Sequence, residues 1–476
     1  MKDLRAWLQQ MSDIGQLKEV RGADPDLEIG IITELNGKRR GPALLFDEIK
    51  GYPKGYRLLS GAILNAQRLS LSFGFPKIDT DQAFVSRMEG RFTDYERKSP
   101  DFPPQEVREA PLLKNRFLDG EVDLSKFPAP KWHEHDGGRY LGTGCVVITR
   151  DPDSGNVNFG SYRLMVHDKK TLALHISSAH HGAINLNKYH AMGKPAPIAV
   201  SFGHHPLFMV VSGLGLPYSV SEYQFLGAVA GEAVPVVRGE VTGLPIPAQS
   251  EFAIEGFSPT DEFREEGPFG EYTGYYASGR GKEPILEVKA VYHRDDPIIL
   301  GAPPGRPPHD YSYAATLMKS VNIKEALTQS GIPDVKGVWY HEAAGVNFFS
   351  VVSIRQRYPG HARQAAYVAS QCPAAACHLG RYMVVVDDDI DPSNLEEVIW
   401  AIGTRSNPER DIEVMHNMYS SPLDPIYPRK GALAFGSRAI IDACKPFDWL
   451  AEFPKVAQSS PEARKKVMEK WKDIFS

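Results

Sequence analysis

The sequence predicts a mixed α/β protein with an N-terminal α/β region, a β-barrel-like middle and a C-terminal α/β domain. A Pro-rich passage at 127–132 is followed by short β-rich runs between glycines and prolines. After Asp310 the pattern changes to a helix and then strand, helix and strand, which is typical of α/β domains. We therefore predict four units: 1–124, 125–310, 311–445, and a tail with a terminal helix at 446–476.

Composition and charge exclude several functional classes. The chain of 476 residues has 54 basic and 59 acidic side chains, a net charge of −5, so we expect no nucleic-acid partner and no membrane-surface partner. Its start lacks the apolar core of a signal peptide, and no apolar run reaches the roughly 18 residues of a membrane span. The 4 cysteines are too few for a disulfide framework in a chain of this size. These observations predict a cytoplasmic protein.

Helical periodicity marks both ends of the chain. Four apolar residues at helical spacing follow Asp3, which we predict to be an N-cap, and Gly15 ends this first helix. Near the other end, Ser460 and Pro461 start a terminal helix. The apolar stripe of that helix must pack on the protein itself or on a second subunit, and it consists of Ala463, Val467, Trp471 and Ile474.

Apolar runs predict strands in the middle and C-terminal regions. In the middle region these runs lie at 145–149, 198–202, 208–211 and 285–292. Beyond them, 312–330 predicts a helix, and 348–354 and 382–386 predict strands. Ser393 and Glu396 form a Ser-x-x-Glu capping box, which predicts a helix through Trp400.

One stretch carries two acids around a tight bend. Glu266 and Glu271 flank Gly-Pro-Phe-Gly, and Pro268 disfavours helix for the glycine before it. A bend of this kind can hold two carboxylates on one wall of a cleft, one as a proton donor and the other ionised. Taken alone, the stretch is more typical of a surface turn that carries two solvated glutamates.

Three further polar residues offer a mixed set of metal ligands. Asn158, His181 and Glu222 supply an amide oxygen, an imidazole nitrogen and a carboxylate, a set that suits Mn²⁺ or Mg²⁺ better than zinc. Arg163 adds a planar cation suited to a carboxylate. Spacing alone leaves open that all four are ordinary turn, core or surface residues.

The order of these elements resembles a known family. Asn-x-Gly-x-x-Arg from Asn158 is followed by a His-Gly loop at 181–182, Ser-Glu-Tyr at 221–223 and Glu-Gly-Pro-Phe-Gly-Glu from Glu266. Together with Val-Val-Asp-Asp-Asp-Ile-Asp at 385–391, this order is similar to that of the UbiD family, decarboxylases that use prenylated FMN. The resemblance extends over nearly the whole chain.

The resemblance implies a fold and a set of cofactor ligands. The middle domain would be a split β-barrel similar to flavin reductases. Asn158, His181 and Glu222 would hold Mn²⁺ (or Mg²⁺) against the flavin phosphate, with K⁺ near Ser212 and Glu222. The implied cofactor-binding positions are Asn158, Ser161, Tyr162, Arg163, Leu164, His180, His181, Ser212, Leu214 and Glu222.

The resemblance also implies a reaction. Loss of CO₂ from an sp² carbon needs an electron sink that side chains cannot supply, so the cofactor must supply it. Arg163 would orient the substrate carboxylate, Glu271 would donate the proton, and Glu266 would pair with Arg163. The substrate would be an aromatic, heteroaromatic or α,β-unsaturated acid, with a lean towards a polar aromatic acid. Its pocket would be lined by Tyr272, Arg306, His309 and Tyr311.

The same family implies partners. A flavin prenyltransferase would supply the cofactor, and two copies would form a homodimer or assemble further into a hexamer. The alternatives are a 4-hydroxybenzoate-type decarboxylase of quinone biosynthesis and an accessory subunit that binds flavin phosphate without turnover. One segment departs from the family pattern: where some members place a cofactor-contacting lysine, 372–378 reads Cys-Pro-Ala-Ala-Ala-Cys-His.

Overall fold

The computed structural model describes residues 3–178, 180–277, 279–372, 380–421, 423–426 and 435–475. Its N-terminal region contains a four-stranded sheet in which β1 pairs parallel with β2, β2 antiparallel with β3, and β3 parallel with the later strand Ile298–Gly301. The elements of this region are α1 Leu4–Asp13, β1 Leu17–Arg21, α2 Glu28–Lys38, β2 Ala43–Asp47, β3 Arg57–Ser60, α3 Ala66–Ser72, α4 Asp81–Met88 and α5 Arg91–Lys98.

The first helix forms as its sequence predicts. Asp3 is the N-cap, and its carboxylate accepts a hydrogen bond from Ala6 N at 2.8 Å, satisfying one of the free amides of the first turn. The apolar face, Leu4, Trp7, Leu8 and Met11, is buried in the main hydrophobic core. Gly15 follows the C-cap with φ +69°, a left-handed conformation that favours glycine.

The middle region is built on one large sheet. Its main path runs β7-β6-β10-β13-β15-β9-β8, and β5 and β14 also pair with β15. The strands are β4 Gln105–Glu106, β5 Asn115–Leu118, β6 Val146–Arg150, β7 Val157–Gly160, β8 Arg163–Val166, β9 Thr171–His175, β10 Ala196–Phe202, β11 Pro235–Arg238, β12 Pro245–Pro247, β13 Phe252–Ser258, β14 Phe263–Glu266, β15 Gly281–His293 and β16 Ile298–Gly301. The helices are α6 His181–Ala191, α7 Leu207–Ser212 and α8 Glu222–Ala230.

The two ends of this sheet are neighbours in the chain. β7 and β8 stand at opposite ends of the strand order, yet only Ser161 and Tyr162 connect them. Gly160 and Arg163 are three Cα–Cα steps apart, a span of at most about 11 Å, so the sheet must curl until its ends meet. The result is the predicted split barrel, with Asn158 and Arg163 on either side of its seam.

The apolar run at 208–211 is helical, so its prediction as a strand is wrong. It lies in α7, which begins after Pro206, and Pro206 itself has helical angles of φ −55° and ψ −22°. The residues of this run are buried in the main core, so they show no polar face by which a helical period could be recognised.

The C-terminal domain is a five-stranded sheet in the order β17-β18-β19-β21-β20, parallel at its centre and antiparallel at both edges. Among the described residues, four helices precede its strands or lie between them along the chain, and two more follow the last strand. The elements are α9 Asp310–Gln329, β17 Val335–Tyr340, β18 Phe349–Ile354, α10 His361–Gln371, β19 Tyr382–Asp387, α11 Leu395–Arg405, α12 Pro408–Asp411, β20 Ile412–Tyr419, β21 Phe435–Ala443, α13 Pro461–Lys470 and α14 Lys472–Phe475.

The cap of α11 differs from the predicted capping box. Asn394, not Ser393, is the N-cap, and its side-chain oxygen accepts from the amides of Glu396 and Glu397. Ser393 Oγ donates instead to Asp391 Oδ1 at 2.7 Å, so the helix starts one residue later than predicted.

The terminal helix is capped as predicted, since Ser460 Oγ accepts from Ala463 N at 3.1 Å. Its apolar stripe is not covered by the described part of the chain: Val467 is 48% exposed, Trp471 49% and Ile474 68%. Within the described ranges, no helix combines the length and the apolar character needed to cross a bilayer.

Candidate active site

The bend between the two acids is fastened to the segment at 136–137. Asp136 Oδ1 accepts from Gly270 N at 3.2 Å, and Gly137 N donates to Pro268 O at 2.7 Å. Gly267 has φ +79°, which favours glycine, and a Cβ on Gly137 would lie 2.0 Å from Gly267 O. Glu266 and Glu271 therefore leave a bend whose backbone is fixed on both sides.

Both acids meet Arg163, the first residue of β8. Arg163 Nε and Nη2 donate to the two oxygens of Glu266, each at 2.8 Å, in a bidentate pair. Arg163 Nη1 donates to Glu271 Oε1. The guanidinium thus lies between two carboxylates.

This network is buried. Relative exposure is 9% for Arg163, 1% for Glu266 and 6% for Glu271, so the alternative of a surface turn with solvated glutamates is wrong. Burial opposes the charge of Arg163, but the hydrogen bonds with Glu266 and the charges of both glutamates outweigh it and raise the arginine pKa above its ordinary value. The ring of Phe269 lies 5.3 Å below the guanidinium carbon and covers its face.

Tyr140 completes the support of Glu266. Its hydroxyl donates to Glu266 Oε1 at 2.8 Å, and its ring lies 4.1 Å from that of Phe269. Burial, together with the charge and hydrogen bond of Glu266, holds the pKa of Tyr140 well above its usual range, so the phenol stays a donor. Sequence reasoning missed both Tyr140 and Asp136, because neither lies within a motif that points to the bend.

At the seam of the barrel, where β7 leads into β8, Asn158 and Glu222 form a pair of side chains that could bind a cation. Asn158 Nδ2 donates to Glu222 Oε1 at 2.6 Å, and Phe159 N donates to Glu222 Oε2 at 3.1 Å. Asn158 Oδ1 is buried and has no hydrogen-bond partner among the described residues. Burial raises the pKa of Glu222 to about 7, against the hydrogen bonds that it accepts. A buried acid beside an unpaired amide oxygen fits a bound divalent ion.

His181, the third predicted ligand, is the first residue of α6. Gly182 N donates to Tyr162 Oη at 3.4 Å, and a Cβ on Gly160 would lie 2.4 Å from the same hydroxyl. Tyr162 therefore links the start of α6 to β7, the strand of Asn158. Burial lowers the pKa of His181, which favours the neutral imidazole that binds metals.

The other positions predicted to bind the cofactor are Ser161, Leu164, His180, Ser212 and Leu214. Ser161 Oγ is 2.6 Å from Ser212 Oγ, which joins the β7–β8 connection to the end of α7. Leu164 is buried in β8, and the exposed His180 has its ring 5.6 Å from that of Tyr162. Leu214 lines a cavity of about 30 Å³ together with Tyr311.

Two of the four predicted substrate residues lie close to Glu271. The rings of Tyr272 and Tyr311 are 5.4 Å apart. Burial, followed by the nearby charge of Glu271, raises the pKa of Tyr311 to about 12, and burial and neighbouring charges also raise the pKa of Tyr272. Both phenols therefore stay protonated beside this acid.

Arg306 and His309 line a different cavity, of about 200 Å³, beside His133 and Gly270. His309 is the N-cap of α9, with Nδ1 accepting from Ser312 N at 3.3 Å. Only its Nε2, which is buried and lacks a partner in the described structure, is left for a ligand. The ring of His309 also stacks on that of Tyr311, with the centroids 6.3 Å apart, so His309 joins the cavity of Arg306 to the pair of Tyr272 and Tyr311.

Lys319 was also missed by sequence reasoning. It lines the cavity of Leu214 and Tyr311, donates to Asn347 Oδ1, and lies 5.0 Å from the ring of Tyr340. The segment in which some family members carry their cofactor lysine, 373–378 here, falls outside the described residues.

Comparison with known families decides the relationship. Models of the 3-octaprenyl-4-hydroxybenzoate carboxy-lyase (UbiD) N-terminal, Rift-related and C-terminal domains match residues 8–88, 105–307 and 312–443. The chain belongs to the UbiD family. Membership of the UbiD family explains the mixed α/β fold and the order of the motifs along the sequence.

Individual UbiD relatives match over almost their whole length. Pyrrole-2-carboxylic acid decarboxylase of Pseudomonas aeruginosa is 32% identical, over 99% of this chain and 98% of its own. A phenolic acid decarboxylase of a Streptomyces species is 31% identical, over 97% and 96%. The solved UbiD-class enzyme HmfF from Pelotomaculum thermopropionicum in complex with FMN superposes with a TM-score of 0.86 at 26% identity, over 98% of both chains.

Proposed function

We propose that this UbiD-family carboxy-lyase uses prenylated FMN to decarboxylate, reversibly, an aromatic, heteroaromatic or α,β-unsaturated acid. The observation that carries the proposal is the buried Arg163 held between Glu266 and Glu271, five positions along the chain from Asn158, which contacts Glu222. The activities of two relatives, on pyrrole-2-carboxylic and phenolic acids, support an aromatic substrate.

The cofactor and the protein side chains contribute different parts of the proposed reaction. A prenylated flavin supplies the electron sink for a carbanion that the substrate's own π-system cannot delocalise. Arg163 orients the substrate carboxylate. Because Arg163 Nη1 already donates to Glu271, the substrate carboxylate must compete with Glu271 for this nitrogen. Glu271, displaced but still beside Tyr272 and Tyr311, delivers the proton to the carbon that loses CO₂.

The polar lining favours a substrate with hydrogen-bonding substituents. Tyr272 and Tyr311 would bind a ring heteroatom or hydroxyl near the reacting carbon. Arg306 and His309 would bind a second polar or acidic group only if the substrate reaches the larger cavity.

A direct assay tests the proposal. Protein loaded with prenylated FMN by a flavin prenyltransferase is incubated with pyrrole-2-carboxylate, 4-hydroxybenzoate and other phenolic acids in D₂O. We expect CO₂ release and deuterium at the former carboxyl carbon with at least one acid. Preference for 4-hydroxybenzoate would favour the quinone-biosynthesis alternative. A flavin-loaded protein that releases no CO₂ and exchanges no deuterium with any acid would favour the accessory alternative.

The cation site gives a separate prediction. We propose that Asn158, His181 and Glu222 hold Mn²⁺ or Mg²⁺ at the flavin phosphate, with K⁺ near Ser212. Glu222→Gln removes the charge that attracts the ion and should weaken Mn²⁺ binding by at least about 10-fold. Metal content and Mn²⁺ titration of the cofactor-free protein measure this, with the exposed Glu240→Gln as control. Equal Mn²⁺ affinity in Glu222→Gln and wild type would contradict the assignment.

We also propose that two copies associate through the exposed stripe of α13 and α14, since Val467, Trp471 and Ile474 leave a large apolar surface uncovered. Sedimentation analysis distinguishes a dimer from a hexamer, and a monomer at micromolar concentration would contradict the association.

A further inference from the structure

Tyr218 lies along one face of α6, the helix that begins with His181. The side chains of His181, Asn185 and Lys188 project from that face, because these residues are four and then three positions apart. The ring of Tyr218 stands at 89° to the imidazole of His181, with the centroids 4.9 Å apart, and its centroid is 5.8 Å from Lys188 Nζ. The hydroxyl of Tyr218 donates to Asn185 Oδ1 at 2.8 Å. One tyrosine therefore meets all three side chains of this face.

The hydrogen bond to Asn185 connects Tyr218 with the strand beside Asn158. Asn185 is buried, and its Nδ2 donates to Thr149 Oγ1 at 3.0 Å. Thr149 in β6 pairs directly with Asn158 in β7, and directly opposed residues project to the same face of a sheet. Polar contacts thus continue from Tyr218 on α6 to the pair of strands that carries Asn158.

An ion pair holds the middle of α6 against the end of β6. Lys188 Nζ donates to Asp151 Oδ1 at 2.7 Å and lies 2.9 Å from Asp153 Oδ2. The side chain of Asp151, the residue after β6, is 3% exposed. A cation fixed in this way over the ring of Tyr218 favours the observed position of that ring. Tyr218 therefore packs on a helix whose own position is fixed.

The loop that carries Tyr218 leads directly to another predicted ligand. It joins α7 to α8, and Glu222, the first residue of α8, follows Tyr218 by four positions. Ser221, the N-cap of α8, donates from its hydroxyl to Val157 O in β7 at 3.2 Å. The contacts of Tyr218 with α6 thus join the helix of His181 to the loop that places Glu222.

The imidazole of His181 is oriented by packing. It is partly exposed, and among the described residues neither of its ring nitrogens has a hydrogen-bond partner. A histidine that binds a metal is usually oriented by a hydrogen bond from its second nitrogen. The right-angled contact with Tyr218, at a distance where aromatic rings attract each other, can orient the ring of His181 instead.

We propose that Tyr218 is a positioning residue for the cation ligand His181: its ring orients the imidazole, and its hydroxyl, through Asn185, holds that ring on α6. This inference rests on the proposed cation site of Asn158, His181 and Glu222. An imidazole that is already oriented loses less conformational freedom when it binds Mn²⁺ or Mg²⁺, so the ion binds more tightly.

The test is a double-mutant cycle on Mn²⁺ affinity. Wild type, Tyr218→Ala, His181→Ala and the double variant are loaded with FMN and titrated with Mn²⁺, and free Mn²⁺ is followed by electron paramagnetic resonance. Tyr218→Phe removes the hydroxyl and keeps the ring. Tyr419→Ala, at a tyrosine of β20 that is 53% exposed, is the matched control. Urea denaturation without Mn²⁺ verifies that each variant is folded.

We expect Tyr218→Ala to weaken Mn²⁺ binding by at least about 10-fold, as is typical for loss of a residue that orients a metal ligand. In the His181→Ala background the same substitution should change the affinity by less than about 2-fold, because the imidazole on which Tyr218 acts is absent. The affinity of Tyr218→Phe should lie between those of wild type and Tyr218→Ala. Tyr419→Ala should bind Mn²⁺ as wild type does.

Two results would overturn the inference. Equal Mn²⁺ affinity in Tyr218→Ala and wild type would show that Tyr218 does not position His181. Equal losses with and without His181 would show that Tyr218 acts on the fold of the loop and not through the imidazole. If wild type binds no Mn²⁺, the cation site of the proposed function fails; if wild type and Tyr218→Ala bind it equally, that site stands and this inference alone fails.

Discussion

Glu271→Gln is expected to abolish decarboxylation while the protein still binds its flavin. Glutamine keeps the size of the side chain and can still accept from Arg163 Nη1, but it cannot deliver a proton. Loss of a general acid costs about 10²–10⁴-fold in rate. We therefore expect both CO₂ release and exchange of the product hydrogen with D₂O to fall by at least about 100-fold. Product analysis and mass spectrometry of the exchanged product measure the two rates.

A matched control distinguishes loss of the proton donor in Glu271→Gln from a general loss of negative charge near the bend. Glu265 lies next to Glu266 in the same strand, but its side chain is 69% exposed. Glu265→Gln should retain wild-type rates and flavin absorbance. If Glu271→Gln kept near wild-type decarboxylation and exchange, Glu271 would not be the proton donor, and the assignment of the two acids would have to be reversed or abandoned.

Local signals were enough for the elements with two distinct faces or a clear cap. α1 follows from the spacing of Trp7 and Leu8 and from the Asp3 cap, and the terminal helix follows from Ser460. They failed at 208–211, where every residue is buried and a helix shows no polar face. They also failed by one residue at α11, because Asp391 takes the Ser393 hydroxyl and leaves Asn394 to cap.

The same distinction separates the site residues that the sequence predicts from those that it does not. Glu266 and Glu271 are predictable because one bend carries both. Tyr140 is not, because no sequence spacing links it to the bend; an isolated bridge to Met165 in β8 places it beside Glu266. The placement of Arg306 and His309 relative to Tyr272 and Tyr311 likewise depends on how the segment after β16 folds against the bend. His309 and Tyr311, two positions apart in the sequence, line neighbouring cavities, and their rings stack with the centroids 6.3 Å apart.

Arg163→Ala is expected to destabilise the fold as well as to abolish activity. The substitution leaves Glu266 and Glu271 buried without the guanidinium that both contact. Removing one partner of a buried ion pair costs about 3–5 kcal/mol, far more than loss of an exposed pair. We expect a decrease of that size in the unfolding free energy of the cofactor-free protein, measured by urea denaturation.

The loss of stability in Arg163→Ala is expected to come from the uncompensated charge of the two carboxylates, and a second substitution can test this cause. Adding Glu266→Gln to Arg163→Ala should recover part of the lost stability, since the glutamine is neutral and Tyr140 can still donate to it. Arg139→Ala, at an exposed arginine near the same bend, should leave the unfolding free energy within about 0.5 kcal/mol of wild type. If Arg163→Ala were as stable as Arg139→Ala, the two glutamates would have to be satisfied without Arg163, and the guanidinium could not be the group that holds the network together.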